Sequence, residues 1–102
     1  MHAEITKSQS ELMDLCRRYH VRRLELFGSA AGDGFDAASS DLDFLVEFEP
    51  LGAVEYAAAF FDLKEALEAL FGRSVDVVVG SAIRNPYFRQ SVERSKALLY
   101  AA

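Results

Sequence analysis

The sequence predicts a small α/β domain, and three short apolar segments carry that prediction. Each segment is rich in β-branched or aromatic residues, which favours β-strands, and stretches with helical spacing separate them. The predicted strands are Val21–Phe27, Asp41–Phe48 and Ser74–Val79. At 102 residues the chain is long enough for one domain and too short for two, so we assign residues 1–102 to a single domain.

Three helices and a final edge strand complete the predicted elements. Ser8 and Glu11 have the spacing of a capping box, which predicts the start of the first helix. Asn85-Pro86 predicts the start of the last helix, since asparagine is a good N-cap and proline suits the first turn. The predicted elements are helices over Ser8–His20, over Val54–Phe71 and from Asn85-Pro86 onward, and an edge strand over Ala97–Tyr100.

The composition argues against several classes of protein. The net charge is −5, so the chain as a whole does not attract nucleic acid, and we do not expect direct nucleic-acid binding. The single cysteine, Cys16, cannot form an intramolecular disulfide, which makes a reducing cytoplasm the simplest compartment. No apolar run approaches the roughly 20 residues that cross a bilayer, and the first residues do not resemble a signal peptide. We therefore expect a cytoplasmic protein with no membrane partner.

Two aspartates stand at the start of the second predicted strand, next to its apolar residues. Asp41 and Asp43 are two residues apart, so their side chains share one face of the strand. Their Cα atoms would then lie roughly 6.5 Å apart. Like charges at this distance raise each other's pKa and destabilise the fold unless a cation lies between them. The pair therefore predicts a divalent-metal site.

A third aspartate, Asp76, interrupts the apolar residues of the third predicted strand. A buried, unpaired carboxylate is costly, so Asp76 is either a hydrogen-bonded structural residue or a third metal ligand, if this strand lies beside the second. An all-carboxylate site suits Mg²⁺ or Mn²⁺, and two such ions can support a phosphoryl or nucleotidyl transfer. Gly28 and Ser29 end the first strand, where a turn and a hydroxyl group could hold a phosphate.

The order Gly28-Ser29, Asp41-Leu42-Asp43 and Asp76 resembles the hG-S…D-x-D…D pattern of nucleotidyltransferases of the DNA polymerase β type. With the following FLVEF and the ending NPYFRQSVERSKALLYAA, residues 8–102 resemble the minimal nucleotidyltransferase (MNT) family. The resemblance implies a small mixed β-sheet with helices packed mainly on one side, the nucleotidyltransferase fold. It implies that Asp41 and Asp43 bind two Mg²⁺ ions, and that Asp76 binds the catalytic ion and helps to activate the acceptor hydroxyl. Gly28 and Ser29 would bind the triphosphate of ATP.

The same resemblance implies a partner protein. Members of this family are often encoded beside a small helical HEPN protein, and the pair behaves as a toxin–antitoxin system. The nucleotidyltransferase can adenylylate a tyrosine of the toxin. For this chain, the resemblance therefore implies transfer of AMP from ATP to a HEPN-type protein and the role of antitoxin.

One stretch differs from the family pattern. Members commonly carry arginines just after the Gly-Ser pair, whereas this chain has Ala30, Ala31 and Asp33 there. An arginine on a phosphate provides charge-assisted hydrogen bonds, so its absence should weaken triphosphate binding. Three later arginines could compensate for the missing charge, namely Arg84, Arg89 and Arg94.

Three interpretations follow from these observations. The intact aspartates favour an active Mg²⁺-dependent nucleotidyltransferase that modifies a protein partner. The loop without arginines favours a catalytically weak or inactive module that neutralises its partner by direct binding. The third interpretation is a plain α/β domain whose aspartates are turn and cap residues. A second apolar side of the helix Val54–Phe71 could pack on a partner or on another copy of the chain, so a homo-oligomer is compatible with the sequence.

Overall fold

The computed structural model describes residues 3–28 and 41–102, and these residues build one mixed four-stranded sheet. The strand order is β3-β2-β1-β4. β1 pairs antiparallel with both β2 and β4, whereas β2 and β3 are parallel. The predicted strands are confirmed to within one residue at each end, and the last strand lies at a sheet edge as predicted. The strands are β1 Val21–Phe27, β2 Leu42–Phe48, β3 Val75–Val79 and β4 Ala97–Ala101.

The helices agree with the predicted ones except at the first. The predicted helix Ser8–His20 is observed as Gln9–Arg18, and a further short helix, Ala3–Lys7, precedes it. Ser8 lies between the two with a backbone at φ −98° and ψ 15°. An N-cap residue usually has an extended backbone, and the Ser8 side chain makes no cap hydrogen bond, so the predicted capping box is wrong. In the described part of the chain, no helix is both long and apolar enough to cross a membrane. The helices are α1 Ala3–Lys7, α2 Gln9–Arg18, α3 Ala53–Phe71 and α4 Pro86–Ser95, with a 3-10 turn at Gly80–Ala82.

Asn85 caps α4 as predicted. Its side-chain oxygen accepts the N–H groups of Tyr87 at 2.9 Å and Phe88 at 3.1 Å. These hydrogen bonds satisfy two of the N–H groups that a helix leaves free at its start. The cap sets where α4 begins, and α4 borders the candidate site described below.

Most of the core lies on one face of the sheet. Alternate residues of β2 point to this face and are fully buried, among them Phe44 and Val46. Cys16 of α2 belongs to the same core, and burial raises the pKa of its thiol to about 12, in agreement with a structural role. The other contributors include residues of α2 and α3, namely Leu12, Leu63 and Leu67. The prediction of helices mainly on one side of a mixed sheet is confirmed.

The other face of the sheet carries a smaller apolar cluster and the candidate site. Val92 of α4 packs there against Phe27 of β1 and Leu45 of β2. Because side chains alternate between the faces of a strand, Asp43 points to the same face as Leu45. The fold therefore places an acidic residue at the border of a small apolar cluster and not within the main core.

Candidate active site

The parallel pairing of β2 and β3 brings two of the predicted aspartates side by side. Asp43 and Asp76 are direct partners in the strand register, so their side chains leave the same face of the sheet. After burial, the nearby charge of Asp76 is the next largest cause of the raised pKa of Asp43, so the two carboxyl groups lie close together. The third strand thus lies next to the second, which is the condition that sequence analysis set for Asp76 as a third metal ligand.

Asp43 carries a negative charge that its surroundings do not balance. Burial raises its pKa, and so do the charge of Asp76, the hydrogen bond to Asp76 and the charge of Asp41, which together bring it from 3.8 to about 6. Asp41 is exposed and directly precedes β2. Within residues 3–28 and 41–102, no three His, Cys, Asp or Glu side chains already converge as a metal site. Two predicted donors are thus in contact, and the role of Asp41 as a third stays a prediction.

Gly28 lies next to the carboxylate pair at the end of β1. Its φ of +74° belongs to the left-handed region that favours glycine. A Cβ atom at this position would collide with Oδ2 of Asp43, whose backbone pairs with Phe27. The backbone conformation of position 28 therefore favours glycine, and a larger residue would push the Asp43 carboxylate aside. Ser29, the other predicted phosphate ligand, and residues 30–33 of the loop without arginines lie outside the described residues.

Ser95 holds the Gly28 turn, and sequence analysis did not identify it. The N–H of Gly28 donates to Oγ of Ser95 at 3.0 Å. The Ser95 hydroxyl lies near the carbonyl oxygens of Ser91, at 3.3 Å, and Val92, at 3.5 Å, and can donate to one of them. The end of α4 therefore orients the turn at the end of β1. No local sequence signal indicates this contact, because it joins residues 67 positions apart.

Replacing Ser95 with alanine is expected to weaken the binding of MgATP. The N–H of Gly28 would lose its acceptor, which costs about 1 kcal/mol of stability and releases the turn. Ser95→Thr keeps the hydroxyl and should restore both stability and the melting-temperature shift with MgATP. Ser91→Ala, on the same helix, is the matched control, since only the backbone oxygen of Ser91 takes part. If Ser95→Ala binds MgATP with wild-type affinity, Ser95 does not position the turn.

The carboxylate pair opens into a cavity of about 340 Å³. A larger depression of about 460 Å³ lies between α2 and α3. Its acidic residues Glu11 and Asp14 are both exposed, and Asp14 already pairs with Arg17 at 3.6 Å. We therefore place the candidate site at the smaller cavity. Its lining combines the two carboxylates with one lysine and five apolar residues: Phe27, Asp43, Phe60, Lys64, Asp76, Val77, Val78 and Phe88.

The three arginines expected to compensate for the missing loop charge do not line this cavity as far as the structure describes it. The guanidinium of Arg89 donates to the carbonyl oxygens of Gly80 at 2.9 Å and Ile83 at 3.1 Å. Arg84 reaches the carbonyl oxygen of Ser81 at 3.5 Å, and Arg94 is exposed on α4. The cation that lines the cavity is Lys64 of α3, which sequence analysis did not single out.

Comparison with known sequences gives one consistent family. A family model described as a nucleotidyltransferase domain matches residues 11–99. A provisionally named protein adenylyltransferase of Methanocaldococcus jannaschii is 37% identical over 95 residues, which cover 85% of this chain and 93% of that protein. The protein adenylyltransferase MntA of Thermococcus cleftensis is 38% identical over 72 residues, which cover 71% of this chain and 69% of that protein.

Comparison with solved structures agrees. A structure provisionally described as a minimal nucleotidyltransferase is 34% identical, with a TM-score of 0.72 and coverage of 90% of this chain and 89% of that chain. Two more distant structures share the fold. One is a toxin–antitoxin complex with AMP-PNP (TM-score 0.66, 21% identity, 92% and 73% covered). The other is a tri-AMPylated Shewanella oneidensis HEPN toxin in complex with MNT antitoxin (TM-score 0.65, 19% identity, 96% and 73% covered).

These comparisons confirm the fold, the resemblance and the enzyme class that the aspartate pattern predicted. Asp43 lies on β2 and Asp76 on β3, and the family match spans the elements from α2 to β4. The chain belongs to the nucleotidyltransferase domain family.

Proposed function

We propose that this chain transfers AMP from ATP to a hydroxyl group of a partner protein. The observation that carries the proposal is the adjacent pair of Asp43 and Asp76 beside the Gly28 turn. The relatives named protein adenylyltransferases support this reaction. The complex with AMP-PNP, an analogue of ATP, supports the nucleotide.

The proposed reaction is a displacement at the α-phosphorus of ATP. The acceptor oxygen forms a bond to this phosphorus, and the bond between the phosphorus and the oxygen bridging to the β-phosphate breaks. Pyrophosphate leaves with the bonding electron pair, and the hydroxyl proton passes to a carboxylate of the pair. We assign that carboxylate to Asp76, which is exposed and stands on edge strand β3.

The turn at the end of β1 would bind the phosphates that leave. Gly28 contributes space and shape to this turn and not an N–H group, because its N–H already donates to Ser95. In the proposal, Ser29 contributes the hydroxyl group.

The donor set fits a hard divalent cation. It consists of carboxylates, and burial together with the neighbouring charges of Asp76 and Asp41 raises the pKa of Asp43. Asp41, Asp43 and Asp76 would hold two Mg²⁺ ions, with Mn²⁺ as the alternative. Such ions supply positive charge that neutralises the phosphates of ATP and the leaving pyrophosphate. This charge would let an acidic chain bind a triphosphate.

We further propose a small helical HEPN-type protein as the acceptor and an antitoxin role for this chain. The shared fold with an MNT antitoxin, seen in complex with a tri-AMPylated HEPN toxin, supports this partner. Cytoplasmic location is part of the proposal, because Cys16 is a free, buried thiol, as expected in a reducing compartment.

The second candidate function is a contact-only module that neutralises its partner without catalysis. The balance of charge favours it, since the described lining of the cavity holds two carboxylates and a single lysine. Such a module would keep the fold and the partner surface but would bind MgATP weakly.

A thermal shift with MgATP separates the two functions. Millimolar ATP and Mg²⁺ should raise the melting temperature of the wild-type chain, because a ligand that binds the folded state alone stabilises it by mass action. Asp41→Asn should remove the shift. Asp62→Asn, an exposed aspartate of α3 outside this cavity, should keep it. Absence of a shift in the wild type would favour the contact-only module, and transfer of labelled AMP to the purified partner would test the reaction directly.

A further inference from the structure

We propose that the cavity beside Asp76 receives the acceptor segment, and that Lys64 positions this segment by pairing with an acidic group next to the accepting hydroxyl. Lys64 is a positioning residue in this proposal and takes no part in bond formation. The proposal rests on the transfer reaction proposed above, and it names the chemistry of the acceptor: a hydroxyl group on a side chain with apolar bulk and a neighbouring carboxylate.

The order of the strands places Lys64 on the acceptor side. The Gly28 turn, Asp43 and Asp76 follow one another across the neighbouring strands β1, β2 and β3, which are roughly 4.8 Å apart. Helix α3 packs beside β3, so Lys64 borders the cavity on the side of Asp76 that is remote from Gly28. In an in-line displacement, the attacking and leaving oxygens lie on opposite sides of the phosphorus. With the leaving pyrophosphate at the Gly28 turn, the acceptor approaches from the side of Lys64.

The ammonium group of Lys64 is available to a ligand. Lys64 is half-buried, and within the described part of the chain it has no ion pair or hydrogen bond. Lys64 lines the same cavity as Asp43 and Asp76. Lys96, by contrast, pairs with Glu93 at 3.0 Å and with Glu25 at 3.6 Å. Among the described residues, the charge of Lys64 therefore has no ion-pair partner.

The walls of the cavity explain why the acceptor needs apolar bulk. Phe60 and Lys64 are four residues apart on α3, so they lie on the same side of the helix. Phe88 of α4, which is 40% exposed, borders the cavity from the other face of the sheet and meets Phe27 edge-on, with ring centroids 6.0 Å apart. A side chain that enters the cavity can remove apolar surface of Phe60 or Phe88 from water, while its hydroxyl group reaches Asp76.

The test combines three variants of Lys64 with two separate measurements. The variants are Lys64→Gln, Lys64→Arg and Lys64→Glu, and Lys7→Gln at the exposed end of α1 is the control. The first measurement is the melting-temperature shift with MgATP. The second is the KM for the HEPN-type protein in the transfer of labelled AMP, measured at low and high salt.

We expect Lys64→Gln to raise the KM for the acceptor about tenfold, the effect of one lost charge-assisted hydrogen bond, and to keep the MgATP shift. Lys64→Arg should retain the wild-type KM, and Lys64→Glu should raise it further. High salt should raise the KM of the wild type more than that of Lys64→Gln, because salt screens a pair between charges. Lys7→Gln should match the wild type.

Three outcomes would overturn the proposal. If Lys64→Gln loses the MgATP shift, Lys64 binds the phosphates of the nucleotide and not the acceptor. If Lys64→Gln matches the wild type in both measurements, Lys64 has no role in the site. If the wild type binds MgATP but labels no partner, the proposed transfer reaction is wrong, and so is the role of Lys64 in positioning the acceptor. The first two outcomes leave wild-type transfer intact, which distinguishes them from the third.

Discussion

Replacing Asp43 with asparagine is expected to make the metal-free protein more stable and to abolish its response to MgATP. Burial, Asp76 and Asp41 all oppose the ionised form of Asp43. Asparagine removes one of the clustered charges, and its amide can donate to the carboxylate of Asp76. We expect a gain on the order of 1–2 kcal/mol at neutral pH, less than the full conversion of the pKa shift because the cavity is open to solvent.

The gain in stability should depend on pH in a defined direction. The pKa of Asp43 is 3.8 ordinarily and about 6 in the folded protein, so the folded state binds this proton more tightly than the unfolded chain does. The stabilisation that this bound proton contributes to the folded state is fully present below about pH 3.8 and is lost as the pH rises through about 6. The advantage of Asp43→Asn over the wild type should therefore grow across this interval and become constant above it.

Denaturant unfolding in the presence of a metal chelator measures this difference in the free energy of unfolding. Both proteins are compared from about pH 4 to about pH 8, which covers about two pH units on either side of the raised pKa. Asp62→Asn changes the net charge equally at an exposed site, and we expect its stability to stay within about 0.5 kcal/mol of the wild type. A clear loss of stability in metal-free Asp43→Asn would show that Asp43 has a structural role.

Replacing Asp76 with alanine is expected to reduce AMP transfer by roughly two to three orders of magnitude, the typical effect of removing one group that stabilises charge in a transition state. In the proposed reaction, Asp76 receives the proton of the acceptor and helps to hold the catalytic ion. Asp41 and Asp43 remain in this variant, so much of the melting-temperature shift with MgATP should remain. Loss of transfer with retained nucleotide binding is the signature of a residue on the acceptor side.

Single-turnover transfer of labelled AMP measures this effect, since it separates the chemical step from product release. The control is Asp62→Ala, which removes an exposed carboxylate of α3 outside the cavity. Asp76 is exposed, and its removal takes away a charge that repels Asp43. We therefore expect no loss of stability in Asp76→Ala. Undiminished labelling by Asp76→Ala would contradict the role proposed for this residue.

Local sequence was sufficient for most of the secondary structure. The apolar segment of β2 and the Asn85 cap of α4 each depend on a few consecutive residues, and both are confirmed. Ser8 shows the limit of such reasoning. Its spacing to Glu11 is that of a capping box, but the chain before it folds into α1, whose Ile5 is buried in the core. Packing of α1 therefore overrides the capping pattern.

The residues alone indicate the type of chemistry, because three aspartates, a Gly-Ser turn and apolar strands predict an all-carboxylate site on a small α/β domain. Which of these groups lie together depends on the fold. The parallel pairing of β2 with β3 makes Asp43 and Asp76 neighbours, and the packing of α4 and α3 brings Ser95 to the turn and Lys64 to the cavity. Side-chain periodicity is encoded over a few residues, whereas these contacts depend on the order of strands and on how distant helices pack against them.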